Sequence, residues 1–228
     1  MKSPRTVAAL NDFGRVRLSD HFYMRDFLFS DIAAVHGLLN APDDADLAIA
    51  AGRQLCEQLL EPLQRVFGRI AIRSAYRSAE VNALGCQKQK EKLKGYNCSS
   101  NEANYAGHIW DRRDADGCMG ATACIVIPEF VDAFPGKGEW TKLAWWIHDT
   151  LPYSSLEFFP TNWAFNINWR DKPKRQIYSY AGWRNAEVWK RNGYLVREGE
   201  TDDAADHSDR WKPLAEKFSL QLAHEIIR

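Results

Sequence analysis

With 228 residues, 45% of them hydrophobic, the chain is long enough to bury a core of its own, and one domain with a terminal extension is the default. Thirty basic residues balance thirty acidic ones, which excludes a global field drawing the protein toward nucleic acid or an anionic membrane; such a partner would need a local patch. No stretch approaches the roughly 20 apolar residues that span a bilayer, and residues 1–16 lack an apolar export core, so the expected compartment is the cytoplasm.

Residues 18–40 open with Ser19 or Asp20 as an N-cap and close on the turn chemistry of Asn40-Ala41-Pro42-Asp43-Asp44, which predicts a docking segment of short helices. Between residues 46 and 67, Leu47, Leu55, Leu59, Leu60, Leu63 and Phe67 recur at helical spacing. This is the clearest helix, and Pro62 should kink or split it. Gly68 stops it, and residues 70–74 read as a short strand. Residues 85–107, rich in Gly, Asn, Ser and Lys without periodicity, predict a long excursion of the kind that carries function.

Residues 120–128 form an apolar run of strand length, and residues 140–150 read as a helix. Residues 156–159 and 163–169 read as a paired hairpin, giving a largely antiparallel sheet in an α+β layout. After Tyr180 the chain becomes more charged, passes through Glu198-Gly199-Glu200-Thr201-Asp202-Asp203, and should end in a helix over residues 211–227. The expected division is a domain over 1–180 and a charged extension over 181–228. Five cysteines, Cys56, Cys86, Cys98, Cys118 and Cys124, are an odd number without a disulfide spacing and suit a reducing compartment. Nine tryptophans could serve a core or line a cleft.

Four stretches together carry a family resemblance: LSDHFYMRDFLFSDIA, NAPDD, LLEPLQRVFG and IAIRSAYRSAEVNALG. Over residues 18 to about 180 the chain resembles the family-fifteen metallopeptidases, the phage and bacterial zinc peptidases of the D-Ala-D-Ala carboxypeptidase type. The Ser74-Ala75-Tyr76-Arg77-Ser78 turn is the most specific part, since such enzymes carry a similar turn whose arginine faces the active site. The resemblance implies the zinc D-Ala-D-Ala carboxypeptidase-like (hedgehog/DD-peptidase) fold, with helices packed on a mainly antiparallel sheet.

It also implies a ligand set that this chain lacks. The family's Gly-x-Ala-x-Asp pattern falls on Gly120 to Cys124, so Cys124 stands at the Asp ligand and Thr122 at the Ala, while the first His position falls on Gly117. The Trp-x-His pattern falls on Trp163-Ala164-Phe165, which puts Phe165 at the last ligand. The general-base position falls near Phe159, with Glu157 two residues away on the same strand face. A phenyl ring cannot coordinate zinc, and one cysteine holds it too weakly for an open catalytic site.

The departure concentrates in residues 107–117, where His108, Asp111, Asp114 and Asp116 lie within nine residues. Either these form a site, or the acids make turn and ion-pair contacts on an ordered loop with Asp116-Gly117 as a turn. His108 with Asp114 or Asp116 could form a rearranged metal pair that Cys118, Cys124 or His148 completes, although His148 at a helix end is otherwise given no role. Arg73, Tyr76 and Arg77 can present a fork to a carboxylate or phosphate. Lys172, Lys174 and Arg175 with Trp183, Trp189 and Trp211 could mimic a nucleic-acid surface, against which the balanced charge argues.

The leading expectation is a peptidase-fold protein without the usual zinc ligands, repurposed for a small polar or anionic ligand or for non-peptidase chemistry. Its pocket would comprise Arg73, Tyr76, Arg77, His108, Asp111, Asp114 and Asp116. One alternative is a metal-dependent peptidase or hydrolase, D,D- or L,D-carboxypeptidase-like, holding zinc through His108, Asp116, Cys118 and Cys124. The other is a protein-interaction module that uses the charged extension. The oligomeric state stays open.

Overall fold

The computed structural model describes residues 3–185, 188–199 and 207–218. In chain order the elements are α1 (Val7–Gly14), α2 (Asp31–His36), α3 (Ala45–Leu55), α4 (Glu61–Phe67), β1 (Ala71–Ser74), α5 (Ala79–Lys90) and α6 (Asn101–Asn104). They continue as β2 (Gly120–Val126), α7 (Pro128–Ala133), α8 (Trp140–Thr150), β3 (Ser155–Phe158), β4 (Phe165–Arg170), β5 (Gln176–Ser179), β6 (Trp183–Asn185), β7 (Val188–Lys190), β8 (Gly193–Val196) and α9 (Ser208–Phe218). The class is α+β, with a six-stranded sheet ordered β1-β2-β4-β3-β5-β8 and a separate β6-β7 hairpin.

Local chemistry accounts for the boundaries. Ser30, Asp44 and Ser78 each accept from the backbone amide three residues on, which caps α2, α3 and α5. Gly37, at φ 64°, ends α2 in the left-handed conformation. The long leucine-spaced helix is interrupted as expected. A π turn over Cys56–Leu60 separates α3 from α4, and Pro62 sits in the first turn of α4, where its missing N–H costs nothing.

Some expectations need adjusting. The sheet is mixed: β5 lies parallel beside β3, with Ser155 opposite Gln176 and Phe158 opposite Ser179. After the hairpin turn, where the Phe159 amide donates to the Ala164 carbonyl at 2.8 Å, the chain returns to flank the far side of β3. The expected excursion at 85–107 begins later, since α5 runs to Lys90. The C-terminal helix starts at Ser208, and its expected continuation to 227, like residues 200–203 of the acidic stretch, lies outside the described residues.

The chain divides into two compact units. The first comprises residues 1–57, 72–124 and 168–172, and the second residues 58–71, 125–167 and 173–228. In the first, the core centres on Trp110, fully buried, whose ring packs against Phe27 and Tyr76 at 5.3 and 6.0 Å between centroids. Its indole N–H donates to the Thr122 carbonyl at 3.1 Å, so the buried polar edge is satisfied. Gly52 on α3 makes room for it; a Cβ there would stand 2.9 Å from the Trp110 ring. Asn168 closes this unit by donating to the carbonyls of Ala106 and Ala121, both at 3.1 Å, and to the Thr122 hydroxyl at 2.9 Å.

In the second unit, β3 alternates, with Leu156 and Phe158 buried and Ser155 and Glu157 partly exposed. Phe158 stacks on Phe165 at 4.7 Å and meets Trp140 at 4.6 Å, while Phe67 packs edge-on to Trp146 and Phe218. β5 and β8 pair antiparallel, with a register irregularity between Ile177 and Tyr178. No helix among the described residues is long and apolar enough to cross a membrane.

Candidate functional site

The turn between β1 and α5 is clamped from several directions. Asn40 donates through its amide to the carbonyls of Leu28 and Tyr76, at 2.8 and 3.0 Å, and accepts from the Ser78 amide at 2.8 Å. The Tyr76 amide donates to Phe27, and that of Arg77 to the His108 carbonyl at 2.8 Å. His108 returns the contact, its Nδ1 lying 2.7 Å from the Ala75 carbonyl. A carbonyl oxygen can only accept, so Nδ1 carries the proton in this contact.

Against this frame the Arg77 guanidinium is poorly matched. Its Nη1 donates to the Cys98 thiol at 2.6 Å, and its Nε is buried with no hydrogen-bond partner among the described residues. Burial pulls the guanidinium below its ordinary range, while the nearby sulfurs of Cys98 and Cys124 pull it back. Burial likewise pushes the Cys98 thiol up, opposed by Arg77. Cys98 is fixed by its own amide, which donates to the Gln89 side chain at 2.5 Å. All five cysteines are buried and none forms a disulfide.

The remaining sequence candidates separate into two groups. Asp111, buried beside the turn, accepts from the Tyr76 hydroxyl at 3.2 Å and from the Asp43 amide at 2.8 Å, with Arg112 at 3.5 Å. Burial and the Asp111 charge push the Tyr76 phenol far above its ordinary range, so it stays a donor. Asp114 is absorbed by its own loop: it pairs with Arg170 at 2.7 Å and accepts from the amides of Asp116 and Cys118. Asp116 and Arg73 are exposed. The structure therefore brings Tyr76, Arg77, His108 and Asp111 to one turn, and Asp114 with Asp116 to a self-contained loop.

Phe165, which the resemblance would put at a metal-ligand position, is fully buried and stacked on Phe158 as part of the core. Glu157, aligned near the general base, accepts from Asn166 at 2.8 Å, and burial pushes its carboxyl up. Phe159 stacks on Tyr180 at 5.7 Å.

Two participants escaped the sequence. Cys98 meets Arg77 across 21 residues, and no local pattern announces it. His148 and Asp149, at the end of α8, come together with His207, 58 residues beyond Asp149. The adjacent His-Asp pair was the visible signal, but its third member could not be read from spacing. Comparison with known proteins finds no family model that matches the chain, and no curated protein or solved structure significantly similar to it.

Proposed function

We propose that the chain is a peptidase-fold protein without the usual zinc ligands and that its first unit binds a small anionic ligand, such as a carboxylate, at Arg77. One observation carries this reading. A partly buried guanidinium offers a thiol as its acceptor and leaves Nε with none. Guanidinium groups taken out of water are costly unless an anion pairs with them, and a carboxylate or phosphate accepts two of their N–H bonds at once. The clamped turn holds Arg77 ready, which lowers the entropy cost of capture. The resemblance of the Ser-Ala-Tyr-Arg-Ser turn to one whose arginine faces a peptidase active site supports the same residue.

Calorimetric titration of the full chain with acetate, inorganic phosphate and an acetylated D-Ala-D-Ala dipeptide tests it. The expected result is binding of at least one of them, weakened about tenfold or more in Arg77→Gln and unchanged in Arg73→Gln, where the arginine is exposed. Equal binding by Arg77→Gln and the parent chain defeats the reading.

A second reading, a metal-dependent hydrolase with a remodelled ligand set, rests on His108. Its Nδ1 donates to the Ala75 carbonyl, the kind of backbone contact that orients a ligating imidazole. It predicts zinc-dependent hydrolysis of such a dipeptide, abolished in His108→Ala; a metal-independent ligand interaction without turnover excludes it.

A further inference from the structure

Within the second unit, the end of α8 and the start of α9 bring three ligand-type side chains together. His148, Asp149 and His207 offer ligand atoms that all lie within 4.8 Å of one another. We propose that these three residues bind a divalent transition-metal ion of the zinc class, fastening α9 to α8.

The distances suit a shared ion. His207 Nδ1 and Asp149 Oδ1 stand 2.9 Å apart, the separation of two ligands about 2.1 Å from one ion at roughly a right angle. The imidazole centroids of His148 and His207 are 5.5 Å apart with their planes at 69°. Two imidazoles on one tetrahedral zinc have centroids about 5 Å apart. A cation placed there replaces the proton shared by His207 and Asp149, and a two-histidine, one-carboxylate set suits zinc and its neighbours over calcium or magnesium.

The supporting contacts are those that orient metal ligands. His148 Nδ1 lies 2.7 Å from the Tyr153 hydroxyl, a contact that fixes the orientation of the ring. Trp211 donates its indole N–H to Asp149 Oδ2 at 2.7 Å, fixing the carboxylate while Oδ1 faces His207. Trp145 stacks on the His207 ring at 4.3 Å. Arg175 donates to the carbonyls of His148, at 2.5 Å, and Leu151, at 2.8 Å, which tightens the C-terminal end of α8.

Three protein ligands leave a zinc coordination position for water or an exogenous group. Both histidines line a pocket of about 190 Å³, together with Trp145, Tyr194, Leu195, Val196 and Arg197. Two neutral imidazoles and one carboxylate leave a dication with net positive charge, and Arg197 adds another, so the exogenous group would be anionic. This site stands on its own residues and does not depend on the Arg77 reading.

The test uses the full chain, stripped with a chelator and titrated with zinc and with cobalt. One equivalent should bind, and zinc should raise the melting temperature. Cobalt should show the visible bands of a nitrogen and oxygen site, without the sulfur-to-metal charge-transfer band that cysteine ligation produces. His148→Ala and His207→Ala should each weaken binding about a hundredfold or more. Asp149→Asn keeps an acceptor for only one of His207 and Trp211, so it should lower the metal-free melting temperature, and it should also weaken binding about tenfold or more and reduce the further rise in melting temperature that zinc produces. The proposal is overturned if no metal binds to the folded parent chain, if cobalt shows sulfur ligation, or if the three variants bind as tightly as the parent.

Discussion

Gly85 and Cys98 approach so closely that a Cβ on the glycine would stand 2.5 Å from the cysteine sulfur and 2.8 Å from Ile32 Cδ1. The glycine sits inside α5, where it weakens the helix, and close packing against the thiol explains its presence there. Gly85→Ala should therefore destabilise the protein by about 1–3 kcal/mol despite its better helix propensity. The expected readout is a lower denaturant midpoint with an unchanged slope, together with faster modification of Cys98 by a thiol reagent. A neutral or stabilising outcome would show that the thiol moves aside freely.

Arg77 provides a test of whether this region trades stability for binding. Replacing it with methionine keeps the apolar stem and removes a guanidinium whose Nε lacks a partner. Arg77→Met should make the ligand-free protein more stable by about 1 kcal/mol while removing its affinity for anions. Chemical unfolding of both proteins, with and without phosphate, measures the two effects separately.

Glu157 makes stability depend on pH. Burial raises its carboxyl above the ordinary value of 4.5, against hydrogen bonds from Asn166 and Tyr180 that pull it down. The folded state then holds this proton more tightly than the unfolded state. The associated stability is present in full below the unfolded value and is lost as pH rises through the folded one. Glu157→Gln lacks that dependence and keeps an acceptor for Asn166. Its melting temperature relative to the parent should climb between about pH 4 and pH 7; a constant difference across that range contradicts the assignment.

Phe165 should behave as core. Truncation to alanine removes a fully buried ring stacked on Phe158 and should cost about 3–5 kcal/mol, with Phe165→Leu costing less. Equilibrium unfolding of the two variants gives the comparison, and a loss under 1 kcal/mol for alanine would mean that the stack contributes little.

The parts of the fold legible in the sequence were those governed by neighbours along the chain. Leucine spacing and Pro62 gave α3, α4 and the break between them, and the unbroken apolar run gave β2. The parallel pairing of β3 with β5 was not legible, since strand alternation is the same for either partner direction. At the site, the clamped turn at residues 74–78 stood out, whereas its acceptor Cys98 is a distant contact without a local pattern. The acidic cluster misled by density. Asp114, two residues before Asp116 and four before Cys118, bonds to both their amides, so ordinary turn chemistry absorbs it.

Asn168 has a consequence for how the protein is made. Its amide group supplies hydrogen bonds to Ala106, Ala121 and Thr122, yet it is translated after the whole of residues 125–167. As the nascent chain leaves the ribosome, residues 1–57 and 72–124 are available early, but the carbonyls of Ala106 and Ala121 must wait for that donor. The first unit thus matures only once about half of the second has emerged, and a polypeptide released early, at residue 124, would carry an unfinished edge prone to association.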